Sequence, residues 1–176
     1  MKKNIEKIFR CSNSGNELFD AFQYAIKNEV GGIELYKILL ANPTLTPDEI
    51  KMFTETLTKI FKEEASEIYS WTGMILESYA NCPTEIEESM NYFIKSWKDD
   101  QSNHEPLINL INMFNYDYDV SYNNVILNIA TEGAKYVRKK SKVYYALADL
   151  FEKKKNIAQK RKYMLLAEKS AREENH

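Results

Sequence analysis

Apolar residues recur along the chain at spacings of three and four, which is the periodicity of one face of an α-helix. In the segment 15–29, Leu18, Phe22, Ala25 and Ile26 follow this spacing. Similar patterns return to the end of the chain, and no segment shows the two-residue alternation of a half-buried strand. The pattern therefore predicts an all-α fold, with further helices over 33–42, 47–60, 64–80, 85–97, 105–115, 120–135, 141–154 and 156–172.

Prolines and polar side chains mark the ends of several predicted helices. Pro43 ends one apolar run, and Thr46 followed by Pro47 is typical of a helix start, since the hydroxyl caps a backbone N–H and proline fits the first turn. Pro106 indicates another start, and Asp119 is predicted to cap the helix after it. The connections are only a few residues long, so neighbouring helices should run antiparallel.

A pair of adjacent apolar residues returns in alternate helices. The pairs begin at Leu39, Ile75, Leu110 and Leu147, at intervals of 36, 35 and 37 residues. An aromatic residue follows each of the last three pairs at a constant distance, namely Tyr79, Phe114 and Phe151. This regularity predicts helix hairpins that repeat about every 35 residues, each covering its apolar face by stacking on the next.

The second helix of each predicted hairpin has a complementary pattern. A bulky residue precedes a small one by three positions in Phe93 and Ser96, in Leu127 and Ala130, and in Met164 and Ala167. We expect the small residue to allow the following hairpin to approach closely.

This spacing resembles the tetratricopeptide repeat, and the likeness is best at Tyr144, Leu147, Ala148, Phe151, Met164 and Ala167. The resemblance implies a right-handed stack of antiparallel helix hairpins. It divides the chain into a capping segment of one or two helices over 1–30 and repeats over 31–63 (degenerate), 64–100, 104–135 and 139–174. Sel1-like repeats of similar length and a non-repetitive helical bundle remain alternatives.

The resemblance also implies a function, because tetratricopeptide repeats usually hold partner segments on the concave side formed by their first helices. The chain would then be a non-catalytic adaptor that binds a protein or peptide. The implied groove residues are Glu77, Asn109, Asn112, Lys142, Tyr145 and Asp149, with Glu34, Lys37, Gly73, Ala80, Asn115 and Glu152 extending the lining. Asparagine amides carry both donors and acceptors, which suits binding of an extended peptide backbone.

Charge is unevenly distributed and leaves two further hypotheses open. The net charge is −2, yet residues 135–176 hold 13 Lys and Arg against 5 Asp and Glu. A basic patch of Arg138, Lys139, Lys140, Lys154 and Arg161 could meet nucleic acid or an acidic partner, although a pI near 5.8 favours a protein partner. The third hypothesis is a scaffold that associates with itself.

Reactive side chains are scarce, and their spacing predicts no catalytic, metal or cofactor site. The two histidines, His104 and His176, and the two cysteines, Cys11 and Cys82, form no zinc-ligand pattern. Asn115 to Asp119 lacks the later glycine and glutamate of a calcium loop. The chain shows neither a signal-peptide pattern nor an apolar run of membrane-spanning length, so we expect a cytoplasmic protein with no membrane partner.

Overall fold

The computed structural model describes residues 1–80, 82–115 and 120–175. These residues form α-helices and no β-strand, which confirms the all-α prediction. Across the same ranges, no helix combines the length and apolar character needed to cross a membrane. The helices are α1 (Lys2–Cys11), α2 (Gly15–Lys27), α3 (Ile33–Leu40), α4 (Pro47–Ile60), α5 (Ala65–Tyr79), α6 (Pro83–Asp99), α7 (Glu105–Asn112), α8 (Val120–Gly133), α9 (Lys140–Lys153) and α10 (Ile157–Glu174).

Local sequence signals set where these helices begin. The Thr46 hydroxyl accepts a hydrogen bond from the backbone N–H of Glu49, whose carboxylate accepts one from the Thr46 N–H at 2.8 Å. This reciprocal pair satisfies two donors that a helix start would otherwise leave without partners. The predicted starts at Pro47 and next to Pro106 are confirmed, whereas the predicted cap Asp119 lies outside the described residues.

Neighbouring helices pack in antiparallel pairs. The start of α5 meets the end of α6 through Ser66 and Ser96. The start of α9 meets the end of α10, where the N–H and Oγ of Ser141 donate to the two carboxylate oxygens of Glu174 at 2.9 and 2.5 Å. First helices also touch, α3 with α5 and α7 with α9. This packing of neighbouring pairs is compatible with a helical repeat.

Buried side chains form two hydrophobic clusters that meet at α6. The first extends from α1 to α5 and includes Tyr92 of α6, and the second extends from α6 to α10 and includes Phe93. These adjacent residues are 5% and 0% exposed, so α6 is buried on two sides. Of the apolar pairs that define the repeat, all members are buried except Ile75, which is half-buried at the edge of the first cluster.

The crossing of α5 and α6 depends on small residues. A Cβ added at Gly73 would lie 2.9 to 3.1 Å from ring carbons of Phe93, and the Ser89 hydroxyl donates to the Gly73 carbonyl at 2.8 Å. The hydroxyls of Ser66 and Ser96 each donate to the backbone carbonyl of the other, at 3.0 and 2.7 Å. Ser96 therefore brings its own hairpin together, whereas the sequence led us to expect it to face the next one.

We expect the substitution Gly73→Ala to lower the free energy of unfolding by up to about 2 kcal/mol. Overpacking against Phe93 should cost about 1–3 kcal/mol, which outweighs the roughly 1 kcal/mol that alanine adds in helix propensity. In a Phe93→Ala background the steric conflict is absent, so Gly73→Ala should become stabilising. Urea unfolding of the four variants measures this coupling, and equal effects of Gly73→Ala in both backgrounds would contradict the close packing.

Tyr92 should make stability fall at high pH. Burial, assisted by the Glu55 carboxylate, raises the pKa of Tyr92 from 10.0 to about 12. The folded state retains the phenolic proton more tightly than the unfolded state does. The resulting contribution to the free energy of unfolding is therefore complete below pH 10, and about 2–3 kcal/mol is lost as the pH rises towards 12. Relative to Tyr92→Phe, which has no group to ionise there, the unfolding free energy of wild type should fall by this amount across that interval. Parallel curves would show that Tyr92 is not desolvated.

Candidate partner-binding groove

An open groove of about 790 Å³ lies between the α4–α5 turn, the first half of α5 and the connection from α6 to α7. Trp71 and Met74 of α5 line it, and we call it the Trp71 groove. A second groove of about 600 Å³ extends towards α1 and α3 and shares Trp71 and Lys37 with the first. The two grooves therefore adjoin at this tryptophan and lysine.

Trp71 is held in place by the backbone of α3. Its indole Nε1 donates to the Lys37 carbonyl at 3.0 Å, while the Lys37 ammonium lies 5.7 Å from the centre of the ring. The side chain is half-buried, so one part of the ring packs against the protein and another part is open to the groove. Tryptophan combines a large apolar area with a polar N–H, and for this reason it is enriched in protein-binding surfaces.

Lys37 connects α3 to α5 through charge. Its ammonium bonds to Glu34 at 2.9 Å and also pairs with Glu67, and its side chain is only 16% exposed. Burial alone would lower the pKa of Lys37, but the hydrogen bonds to Glu67 and Glu34 outweigh this and raise its pKa. The lysine is therefore charged at neutral pH, and it stabilises the position of the neighbouring indole.

Carboxylates dominate the lining of the Trp71 groove. The lining contains two lysines, Lys37 and Lys62, and six acidic residues, which are Glu63, Glu64, Glu67, Asp99, Asp100 and Glu105. The potential in the groove is consequently negative. Within the ranges that the structure covers, no three His, Cys, Asp or Glu side chains form a group suited to a metal ion.

The structure places the six predicted groove residues on three first helices: Glu77 on α5, Asn109 and Asn112 on α7, and Lys142, Tyr145 and Asp149 on α9. All are exposed except Asn109, which is half-buried. None of them lines the Trp71 groove, although Glu77 lies three residues from Met74 and so on the same side of α5. The surrounding protein partly desolvates the Glu77 carboxylate and raises its pKa.

Among the residues expected to extend the lining, Gly73 does not belong to this surface. It is buried against the ring of Phe93. Because glycine has no side chain, α6 can approach α5 closely at this point. Glu34 and Lys37 do line the second groove. Ala80 is half-buried, Asn115 is exposed, and the exposed Glu152 pairs with Lys160.

The predicted basic patch is divided into separate groups. Arg138, Lys139 and Lys140 lie at the start of α9, whereas Lys154 lies at its end, with its ammonium 4.4 Å from the centre of the Phe114 ring. A helix of this length spans roughly 20 Å. Arg161 is exposed on α10. The structure therefore does not bring the five residues together.

The residues that shape the Trp71 groove carry no sequence signal of that role. Trp71 follows Ile68 by three residues and precedes Ile75 by four, which is the pattern of a core stripe. Its partial exposure depends on α3, and its hydrogen-bond partner Lys37 is distant in sequence. Asp99 and Glu105 become neighbours of this groove only because the connection after α6 returns to α5.

No known protein family, curated protein or solved structure matches the chain. Its function is therefore inferred from its own architecture. The two relevant features are the all-α fold with paired neighbouring helices and the open groove that contains a fixed indole ring.

We expect Trp71→Phe to lower the free energy of unfolding by about 0.5–1.5 kcal/mol beyond the loss of ring area, because it removes a hydrogen bond to the backbone. Trp97→Phe is the matched control. The buried indole nitrogen of Trp97 has no hydrogen-bond partner in the part of the chain that the structure describes, so its loss should cost less. Chemical denaturation measures both variants, and a larger effect at Trp97 would contradict the importance of the Trp71 bond.

Proposed function

We propose that the chain is a non-catalytic protein-interaction module that binds a segment of a partner protein in the Trp71 groove. The observation that carries this proposal is the indole of Trp71, which is fixed by a hydrogen bond and half open to a groove of about 790 Å³. Met74, 41% exposed, lies beside it and adds apolar contact area. A few apolar anchors surrounded by polar groups are typical of peptide-binding grooves.

The architecture in this proposal is a tetratricopeptide-like stack of hairpins with a right-handed superhelix. Residues 31–63, 64–100, 104–135 and 139–174 each hold two of the helices, and residues 1–30 hold α1 and α2. The recurring apolar pairs lie in the core, and α3 touches α5 as α7 touches α9. Grooves formed by successive hairpins are the usual binding surfaces of such arrays.

The Trp71 groove draws on three of these hairpins. Lys37 comes from α3, Trp71 and Met74 come from α5, and Glu105 comes from α7. In this proposal the surface continues along the exposed sides of α7 and α9, which carry the residues Asn109, Asn112, Lys142, Tyr145 and Asp149. A bound segment would then contact several repeats at once.

Self-association is the second candidate, favoured by one observation on α10. Ile157 and Leu165 are 63% and 68% exposed and lie eight residues apart, close to one face of the helix. Large exposed apolar side chains on one face often mark a contact surface. The basic end is a weaker candidate for nucleic acid, because its charges lie in separate groups.

We expect Met74→Arg to reduce partner capture by at least about tenfold, since a large charged side chain beside Trp71 should obstruct the groove and remove an apolar anchor. The tagged protein would be incubated with host extract, and a protein enriched by wild type would be identified, purified and titrated directly against each variant. A second variant, Asn109→Ala with Asn112→Ala, tests whether the contact extends along α7.

Val125→Arg is the control, because Val125 is 42% exposed and lines a different groove, between α6 and α8. It should leave partner affinity unchanged, and all variants should keep the thermal midpoint of wild type. Equal affinity of wild type and Met74→Arg for the purified partner would exclude the Trp71 groove. Light scattering of wild type and Leu165→Glu tests the self-association candidate separately.

A further inference from the structure

Four carboxylates of the Trp71 groove lack an ion-pair partner in the part of the chain that the structure describes. Glu63, Glu64, Asp99 and Glu105 make no ion pair or side-chain hydrogen bond with any other described residue. Asp100 differs, because its carboxylate accepts hydrogen bonds from the N–H and hydroxyl of Ser102 at 3.0 and 2.7 Å. Lys62 is the one lysine of the lining besides Lys37, so the groove holds an excess of negative charge facing solvent.

Local helix chemistry accounts for only part of this charge. Glu63, Glu64 and Glu105 are at or next to the starts of α5 and α7, where the helix dipole favours a carboxylate. Asp99 is the last residue of α6, and at that end the dipole disfavours negative charge. The collection of these groups around one groove therefore requires an explanation beyond helix capping.

The protein already shows how this groove holds a cation. The ammonium of its own Lys37 pairs with Glu67 and lies 5.7 Å from the centre of the Trp71 ring, within the range of a cation–π contact. The groove therefore already holds one ammonium group between a carboxylate and an aromatic ring. The free carboxylates, the exposed part of Trp71 and the thioether of Met74 offer the same combination to a second cation.

We propose that the segment bound in the Trp71 groove carries lysine or arginine residues, whose charged ends pair with Glu63, Glu64, Asp99 and Glu105. Their aliphatic stems would pack on Trp71 and Met74, since long basic side chains bury their methylene groups against apolar surface while the charge stays in water. Complementary charge sets both the selectivity and the association rate of such a contact. This inference rests on the proposed function and names the chemistry of the partner.

Binding of defined peptides tests this chemistry. Three fluorescein-labelled peptides share one glycine, serine and leucine background of about twelve residues and differ only in carrying lysine, glutamine or glutamate at the same four positions. Fluorescence anisotropy should show the lysine peptide binding at least about tenfold more tightly than the glutamine peptide, with the glutamate peptide weakest. Raising the salt from about 0.01 M to about 0.15 M should weaken the lysine peptide most.

A neutralised groove and a matched control identify the site. The groove variant combines Glu63→Gln, Glu64→Gln, Asp99→Asn and Glu105→Gln, and it should lose the preference for lysine. The control removes the same charge from exposed positions elsewhere, through Asp20→Asn, Glu29→Gln, Glu55→Gln and Glu168→Gln, and should keep that preference. Equal loss in both variants would show that overall charge, not the groove, attracts the peptide and would overturn the inference.

Other outcomes separate this inference from the proposed function. If the glutamine or glutamate peptide binds best and Met74→Arg abolishes that binding, the groove is a binding site but its partner is not basic. If no peptide binds and Met74→Arg leaves the purified partner's affinity unchanged, the proposed function fails as well. If wild type forms oligomers that the groove variant dissolves, the occupant is a second copy of this chain, and the assignment to a separate partner is overturned.

Discussion

The close contact between α5 and α6 is the interaction on which the rest of the structure depends. Gly73 leaves the backbone of α5 open to the ring of Phe93, and the reciprocal bonds of Ser66 and Ser96 hold the far end of the same crossing. Since Tyr92 and Phe93 project into separate hydrophobic clusters, this crossing also joins the two parts of the core. A larger residue at Gly73 would therefore affect both clusters.

The same helix that is buried at Gly73 carries the groove on its other side. Trp71 and Met74 flank Gly73 in sequence, yet they face the groove because an α-helix turns by about 100° per residue. Packing against α6 fixes α5, and the Lys37 network ties α5 to α3. The groove is thus positioned by contacts on several sides of one helix, and it exists only because α3 and the connection after α6 lie beside α5.

The helices and several of their ends could be predicted from sequence because they depend on short-range chemistry. The start at Thr46, for example, needs only a hydroxyl, a proline and a glutamate within four residues. The apolar pairs were also predicted as core positions, since periodicity identifies the buried face of a helix. Periodicity does not identify which neighbour covers that face. For this reason it predicts Ser96 at the following hairpin and Gly73 on the exposed surface, whereas both lie at the contact of α5 with α6.

Sequence by itself therefore determined the all-α class, the approximate helices and which side of most helices is buried. Tertiary structure alone decided the site: it left Trp71 half open, gathered Asp99 and Glu105 beside it, and separated Lys140 from Lys154 along α9. The physical reason is the distance along the chain over which each kind of interaction acts. Helix capping and amphipathic spacing act over a few residues, whereas a groove and its charge arise from groups that are distant in the chain and become neighbours only when the hairpins pack.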